Sequence, residues 1–222
     1  QQPNILRTAF SEEQIKSRVA EMGAAITADY AGKDLALIAV LRGSLYFFAD
    51  LTRAISMPVQ TDCIAIGTYA HSSSGVVRIT KDLDISITGR HVLIVEDIVR
   101  TGLTLGYLIQ NIETRGPASV KVCALFVNPA QHLIDIPIAY QGFTVSSAWL
   151  MGYGMDVGEQ WRHLPYVVEV EKNPRTRNNA VSLLTFSNNF AIWHRTIQSE
   201  KYIYWVSNFT YRANYILDQT QV

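Results

Sequence analysis

The most informative stretch of the chain, residues 92–104, reads VLIVEDIVRTGLT. Its four leading apolar residues predict a buried strand, which delivers the adjacent carboxylates of Glu96 and Asp97. We expect residues 96–102 to form a turn and a helix to begin at Leu103. Ligands of parallel sheets bind beyond the carboxyl ends of the strands. The acidic pair is therefore predicted to face a ligand.

The turn after the acidic pair has the chemistry of a phosphate site. Gly102 allows a ligand to approach the backbone closely, and the helix start offers free N–H groups to an anion. Thr101 and Thr104 add hydroxyl donors, whereas Glu96 and Asp97 can accept hydrogen bonds from sugar hydroxyls or hold a divalent cation. A sugar phosphate would suit both the acidic pair, through its hydroxyls, and the helix start, through its phosphate. The alternative is an ordinary strand-to-helix turn with a solvated acidic pair.

Strand and helix patterns alternate on both sides of this stretch. A capping box, with Ser11 as N-cap and Gln14 at the third helical position, opens the first predicted helix. Short apolar runs bounded by turn residues predict the strands. Helices are predicted at 11–30, 45–55 and 103–115, and extended segments at 35–41, 59–69, 76–80, 85–88, 91–95, 120–127, 140–145 and 166–170. This order predicts an α/β fold with right-handed βαβ units and a mainly parallel sheet.

Composition narrows the possible functions. The 222 residues are 48% hydrophobic and 17% charged, with 19 basic and 19 acidic side chains, which is ordinary for a globular protein. The formal net charge of 0 and the lack of a basic stripe argue against nucleic-acid binding. No apolar run approaches the length of a membrane span, and the first residues do not resemble a signal peptide. We expect a cytoplasmic protein.

The composition changes after residue 171. Residues 172–177 read KNPRTR and predict a linker, and the remaining stretch to residue 222 is rich in Asn and aromatic side chains. Exposed aromatics in such number favour aggregation, so packing onto the core or a partner protein is expected. The predicted organisation is a domain at 1–171 and a C-terminal extension at 172–222.

Residues 92–104 resemble the phosphoribosyl pyrophosphate (PRPP) signature of type I phosphoribosyltransferases. The segments AGKD, SSGVVRI, KDLD, GYGMD and LPY look like the bacterial hypoxanthine-guanine branch of that family; they lie at 31–34, 73–79, 81–84, 152–156 and 164–166. The match runs in register from about residue 5 to about residue 171. It implies a type I phosphoribosyltransferase fold: a twisted, mainly parallel sheet flanked by helices, with a small hood. The C-terminal tail lies outside the resemblance.

The resemblance also implies a reaction, in which a 6-oxopurine such as hypoxanthine or guanine is transferred onto PRPP with Mg²⁺. The products are a nucleoside monophosphate and pyrophosphate, which is purine salvage. By this resemblance Glu96 and Asp97 would bind the ribose hydroxyls. Family members commonly form dimers or tetramers, so self-association is expected. The 5′-phosphate would be held by Arg100, Thr101, Gly102, Leu103 and Thr104.

The resemblance assigns the pyrophosphate and metal roles to two further segments. Arg42 and Gly43 match the family's pyrophosphate loop, where a small residue permits close backbone approach. Arg162 matches a pyrophosphate-contacting arginine, and Asp156 a ligand of Mg²⁺. The simpler alternatives are a surface arginine on a short helix for Arg162 and an N-cap of the following segment for Asp156.

The base-binding roles fall on the last matching positions. Trp149 occupies the aromatic position that stacks on the purine, and Leu150 would offer backbone groups to the edge of the base. Tyr69 opens the loop that closes over the reacting centre and excludes water. The alternatives are a core tryptophan and a strand-end tyrosine.

The departures from the family pattern lie in the part of the site that would bind the nucleobase. Arg100 stands where the purine enzymes carry an aspartate that assists proton movement at N7, and arginine cannot act as a general base. Asn128 replaces the lysine that recognises the 6-oxo group, which loses charge assistance of ~1 kcal/mol. Ala148 replaces a polar residue. Two hypotheses follow: an active enzyme with altered efficiency or base preference, or a degenerate paralogue that binds nucleotide and acts in regulation or assembly through its tail.

Overall fold

The computed structural model describes residues 3–68, 77–146 and 149–171. The three helices are α1 (Glu12–Asp29), α2 (Leu45–Ala54) and α3 (Leu103–Glu113). The strands are β1 (Ile5–Phe10), β2 (Leu35–Leu41), β3 (Gln60–Thr68), β4 (Val77–Lys81), β5 (His91–Val99), β6 (Ser119–Val127), β7 (Ile138–Thr144), β8 (Trp149–Met151) and β9 (Val167–Val170).

The main sheet has six strands in the order β4-β3-β2-β5-β6-β7. Its pairs are parallel except for β4, which runs antiparallel to β3 at the edge. Both faces of β2 are covered: Leu35 and Leu37 pack with α1 and α2, while Ala36 and Ile38 pack with α3. Burial on both faces explains the continuous apolar runs and confirms the predicted α/β sheet flanked by helices.

A second, smaller sheet forms the predicted hood. Its order is β1-β9-β8, and both pairs are antiparallel. It joins the two ends of the described chain, since the Glu171 N–H donates to the Asn4 carbonyl at 2.9 Å. The sequence patterns did not predict β1 or β8.

Two sequence predictions were wrong in detail. Residues 96–102 are not all turn: β5 continues to Val99, because Ile98 and Val99 keep pairing with β6. The segment 85–88 is not a strand. The backbone N–H groups of Asp84 and Ile85 donate to the Asp62 carboxylate instead of to a neighbouring strand.

The first helix begins as predicted. Ser11 Oγ accepts from the Gln14 N–H at 3.3 Å, and Gln14 Oε1 accepts from the Ser11 N–H at 2.8 Å. This capping box satisfies two N–H groups that the helix itself leaves unpaired. Of the three helices within the described ranges, none is both long and apolar enough to cross a bilayer.

Candidate active site

Glu96 and Asp97 lie in the carboxyl-terminal half of the central strand β5, near the edge of the sheet where the predicted ligand would bind. Asp97 is 9% exposed, and Glu96 Oε2 is buried without a hydrogen-bond partner among the described residues. Burial raises the pKa of Glu96 well above its ordinary range, and the neighbouring Asp97 charge raises it further. Burial also raises the pKa of Asp97. The pair therefore favours a cation or hydroxyl donors that would stabilise its ionised form.

Two glycines bring three segments together beside the acidic pair. A Cβ at Gly43 would lie only 2.6 Å from Cγ of Asp97, so the loop after β2 presses directly on that carboxyl group. Gly154 has a φ of +101°, and a Cβ there would overlap the Gly43 carbonyl oxygen. Behind the loop, the Ser44 hydroxyl donates to the Val40 carbonyl at 2.6 Å. Only glycine at positions 43 and 154 permits this close packing.

Charged side chains tie the turn after Gly154 to the loop after β2. Arg162 Nη2 lies 2.8 Å from Asp156 Oδ1, and Arg162 Nη1 donates to the Gly154 carbonyl at 2.7 Å. Arg42 Nη2 lies 2.8 Å from Glu159 Oε2, which is also 3.2 Å from Arg162. The two predicted pyrophosphate arginines thus share one carboxylate. Sequence reasoning missed Glu159, and no local signal marks it, because its role appears only where the two arginines converge.

Asp156 also has the local role that was the alternative to metal binding. Its Oδ2 accepts from the Glu159 N–H at 2.8 Å, which closes a turn. Arg162 does not lie on a helix, contrary to its alternative assignment; it lies in the turn that precedes β9. Its side chain is held by Asp156 and by the Gly154 carbonyl, and Gly154 in turn packs on the Gly43 carbonyl.

The predicted phosphate turn joins β5 to α3. Gly102 is the N-cap of α3, with φ +79° and no side-chain capping bond. Its backbone packs tightly, since a Cβ there would lie 2.9 Å from Cγ1 of Ile136. Thr101, Leu103 and Thr104 are exposed around it. The first N–H groups of α3 therefore face an open approach suited to an anion.

The residues predicted to recognise the base lie beside this turn. The Arg100 guanidinium carbon lies 5.8 Å from the centre of the Trp149 ring. Trp149 is 36% exposed, so it does not fill the core, whereas Leu150 is buried and paired with Glu169. Asn128 is 3% exposed, and its Oδ1 accepts no hydrogen bond from the described residues.

Comparison with known proteins identifies the family. The family described as the phosphoribosyl transferase domain matches residues 10–157. The hypoxanthine-guanine phosphoribosyltransferase of Mycobacterium avium is 46% identical over 172 residues, which cover 74% of this chain and 85% of that protein. This chain belongs to the phosphoribosyltransferase family.

Solved structures of phosphoribosyltransferases share the fold. A hypoxanthine-guanine phosphoribosyltransferase from Bacillus anthracis, with HEPES in its active site, superposes with a TM-score of 0.72 and 36% identity, covering 77% of this chain and 100% of that one. The hypoxanthine phosphoribosyltransferase of Trypanosoma cruzi in complex with the product IMP gives a TM-score of 0.72 and 37% identity, covering 77% and 97%. The type I phosphoribosyltransferase fold is thus confirmed.

Three sequence predictions about this phosphoribosyltransferase fall outside the described residues. Tyr69, which opens the predicted covering loop, is one of them. Ala148, the departure beside Trp149, is another. The extension at 172–222 is the third.

The carboxylates of this phosphoribosyltransferase fit a magnesium ion. Mg²⁺ prefers oxygen ligands and uses one or two protein carboxylates together with substrate phosphates. Asp156 offers such a group, and the orphaned Oε2 of Glu96 marks a second acceptor without a partner among the described residues. Those residues hold no cluster of three His, Cys, Asp or Glu side chains that could bind a metal ion by itself.

Proposed function

We propose that this phosphoribosyltransferase transfers a 6-oxopurine, hypoxanthine or guanine, onto PRPP to give a nucleoside monophosphate and pyrophosphate. One observation carries the proposal: the buried acidic pair at the end of β5 is pressed against Gly43 and followed directly by the phosphate turn at Gly102. A sugar that bears a 5′-phosphate and a pyrophosphate fits that arrangement. The names of the similar proteins support the same reaction.

The ribose and 5′-phosphate would be held by β5 and the start of α3. Glu96 and Asp97 would accept hydrogen bonds from the ribose hydroxyls, because Asp97 is a buried acceptor and Glu96 Oε2 is buried without a partner among the described residues. The N–H groups of Leu103 and Thr104, with the Thr101 hydroxyl, would donate to the phosphate, and Leu103 would give up its long 3.5 Å bond to Thr101 Oγ1. Arg100 adds positive charge at the edge of this site.

The pyrophosphate would lie between the Gly43 loop and the Asp156 turn. Arg42 and Arg162 would exchange their contacts with Glu159 for phosphate oxygens, which likewise form charge-assisted, bidentate hydrogen bonds with guanidinium groups. Asp156 and the acidic pair would hold Mg²⁺. When bound, that ion neutralises charge on the pyrophosphate as it leaves.

The nucleobase would stack on the exposed Trp149 ring, with its edge toward the Leu150 backbone. Asn128 would meet the 6-oxo group with its amide. Tyr69 would belong to the loop that closes over the reaction and excludes water. An amide both donates and accepts, so discrimination between 6-oxo and 6-amino purines is expected to be weaker than with a lysine.

We also propose the wider organisation that the sequence suggests. Residues 1–171 form the phosphoribosyltransferase domain, and residues 172–222 form an extension that docks onto a partner protein. Self-association and a cytoplasmic location are parts of the same proposal. The cytoplasmic location is proposed because a salvage enzyme acts where PRPP and free bases are found.

Isothermal titration of PRPP with Mg²⁺, followed in the same cell by hypoxanthine or guanine, tests the function. Binding followed by turnover heat and pyrophosphate release is the expected result. PRPP binding without turnover by any base would instead favour a regulatory nucleotide-binding protein. Absence of PRPP binding would contradict the proposed site altogether.

A further inference from the structure

Arg100 occupies a defined place between the acidic pair and the base-stacking ring. It follows β5 directly, its charge interacts with Asp97, and its guanidinium carbon lies 5.8 Å from the Trp149 ring centre. The side chain is partly buried rather than free in solvent. Because the guanidinium lies over the Trp149 ring, a planar base that stacks there would meet Arg100, and the resemblance to the purine enzymes, whose residue at this position acts at N7, directs the imidazole edge toward it.

The chemistry of that position differs from proton abstraction. A guanidinium has five N–H donors and no acceptor, and it stays protonated at working pH, so it cannot take a proton from a purine nitrogen. Among the residues assigned to the base, Asn128 and Trp149 do not titrate and Leu150 is apolar. The nearby carboxylates of Asp97 and Glu96, on β5, would bind the ribose in the proposed function.

His132 precedes Leu133, whose N–H donates to the Thr101 carbonyl. Its Nε2 is buried without a hydrogen-bond partner among the described residues. It is the protein group that an inflection at one fixed pH would indicate.

We infer that this protein takes its purine as the anion that has lost the imidazole proton, with Arg100 donating hydrogen bonds to N7. The inference rests on the proposed function. The proton leaves to solvent before the base binds. The N9 lone pair then forms the bond to C1′ while the C1′–O bond to pyrophosphate breaks, and the pyrophosphate departs with that electron pair. No side chain changes its protonation during transfer.

Electrostatics of the site support an anionic base. Burial lowers the pKa of Arg100, and the Asp97 charge raises it, so the guanidinium stays charged in a partly desolvated setting. Charge-assisted hydrogen bonds are about twice as strong as neutral ones, and low water content strengthens them. N7 of an anionic purine is a better acceptor for these donors than N7 of the neutral base.

The pH dependence of kcat/KM for several bases tests the inference on the unmodified protein. Hypoxanthine, guanine and 8-azaguanine differ in the acidity of their imidazole proton, the 8-aza compound being the most acidic. We expect the rate to rise with the ionised fraction of each base, so that the inflection moves from base to base. An inflection at one fixed pH for all three bases would assign it to a protein group and overturn the inference.

Substitutions at Arg100 provide the second arm. Arg100→Gln removes the charge and is expected to lower kcat/KM about 10²-fold, in the range seen when one transition-state donor is lost. Arg100→Asp supplies a carboxylate that can accept the imidazole proton. Its kcat/KM at pH values below the pKa of the purine should therefore exceed that of the parent and no longer depend on the acidity of the nucleobase. Arg53→Gln, on exposed α2, is the control and should leave the profile unchanged.

These results separate the two proposals. Turnover with a pH profile that ignores the base, or with an Arg100→Gln variant as fast as the parent, overturns the anion inference while the proposed function stands. Lack of turnover with all three bases at every pH overturns the proposed function and the inference with it. PRPP binding measured in parallel shows whether the PRPP site or the nucleobase site does not bind its substrate.

Discussion

Glu96 and Asp97 are adjacent in sequence and buried together, so the folded protein resists ionising both. Burial raises the pKa of each, and for Glu96 the Asp97 charge adds to the effect. Each group therefore binds its proton more tightly in the folded state than in the unfolded state. The unfolding free energy falls as pH rises from the ordinary carboxyl range, about 4, up through the raised pKa of Glu96. The substrate-free protein carries this cost at neutral pH.

Replacing Glu96 with glutamine should remove most of that cost. We expect Glu96→Gln to raise the unfolding free energy at pH 7 by about 1 kcal/mol or more, with little change below pH 4, where the parent is protonated. Binding of PRPP with Mg²⁺ should weaken at the same time. Urea unfolding at pH 4 to 8 measures the first effect, with Glu113→Gln on the exposed side of α3 as control. A variant less stable than the parent at pH 7 would contradict the sign of this coupling.

At the residue scale the sequence was a good guide to chemistry but not to contacts. The apolar run before Glu96 predicted a carboxylate pair at the sheet edge, because a buried strand is recognisable from its own consecutive apolar residues. The pressure of Gly43 on Asp97 was not predictable, since it depends on how β2 and β5 pair. Glu159 was missed for a similar reason: its role appears only once Arg42 and Arg162 converge on it.

At the scale of elements, the site depends on two turns that touch each other. The loop after β2 and the turn before β9 meet where Gly154 packs on the Gly43 carbonyl. The same turn contains Gly158, whose φ of +62° is also left-handed but which has open space around it. Comparing Gly154 with Gly158 therefore separates the effect of the left-handed backbone conformation from the effect of the close contact.

Alanine substitution at the two glycines should therefore differ. Gly158→Ala is expected to cost about 1–2 kcal/mol from the left-handed backbone alone, with PRPP binding kept. Gly154→Ala adds an overlap with the Gly43 loop, so we expect a loss of about 2–5 kcal/mol and PRPP binding weakened more than tenfold. Thermal unfolding and titration calorimetry measure both. Equal effects of the two variants would show that the contact does not matter.

The elements themselves were predicted unevenly, and burial explains the difference. Strands β2, β5 and β6 are covered on both faces, so their apolar runs stood out. Strand β1 is mostly exposed, and β8 has only three residues, so neither has a readable pattern. Both strands form because β9 pairs with them, and this long-range pairing has no local signature.

At the scale of the whole molecule, the described residues form three buried apolar clusters. Apolar residues of α1 and α2 pack on one face of the main sheet, and those of α3 on the other. A third small cluster around Met151 and Val168 lies in the hood. Among the described residues the last member of these clusters is Val170, and the family match ends earlier, at residue 157.

A chain that ends after Glu171 should consequently fold without the extension. We expect its unfolding free energy to stay within about 1 kcal/mol of the full chain, which is a Tm change of at most about 4 °C, and its PRPP affinity to be unchanged. Calorimetry and size-exclusion chromatography of both chains provide the comparison. A truncated chain that unfolds much earlier would mean that residues 172–222 complete the core instead of serving a partner.

The contact between Gly43 and Gly154 also limits how sequences of this family can drift. A side chain at Gly154 needs the loop after β2 to withdraw, whereas a side chain at Gly43 meets the Asp97 carboxylate, so each substitution is harmful for its own reason. Related proteins with a larger residue at the position of Gly43 should therefore show a displaced loop beside the acidic pair, and with it a changed contact at Gly154. The two loops are expected to evolve as one unit, although more than a hundred residues separate them along the chain.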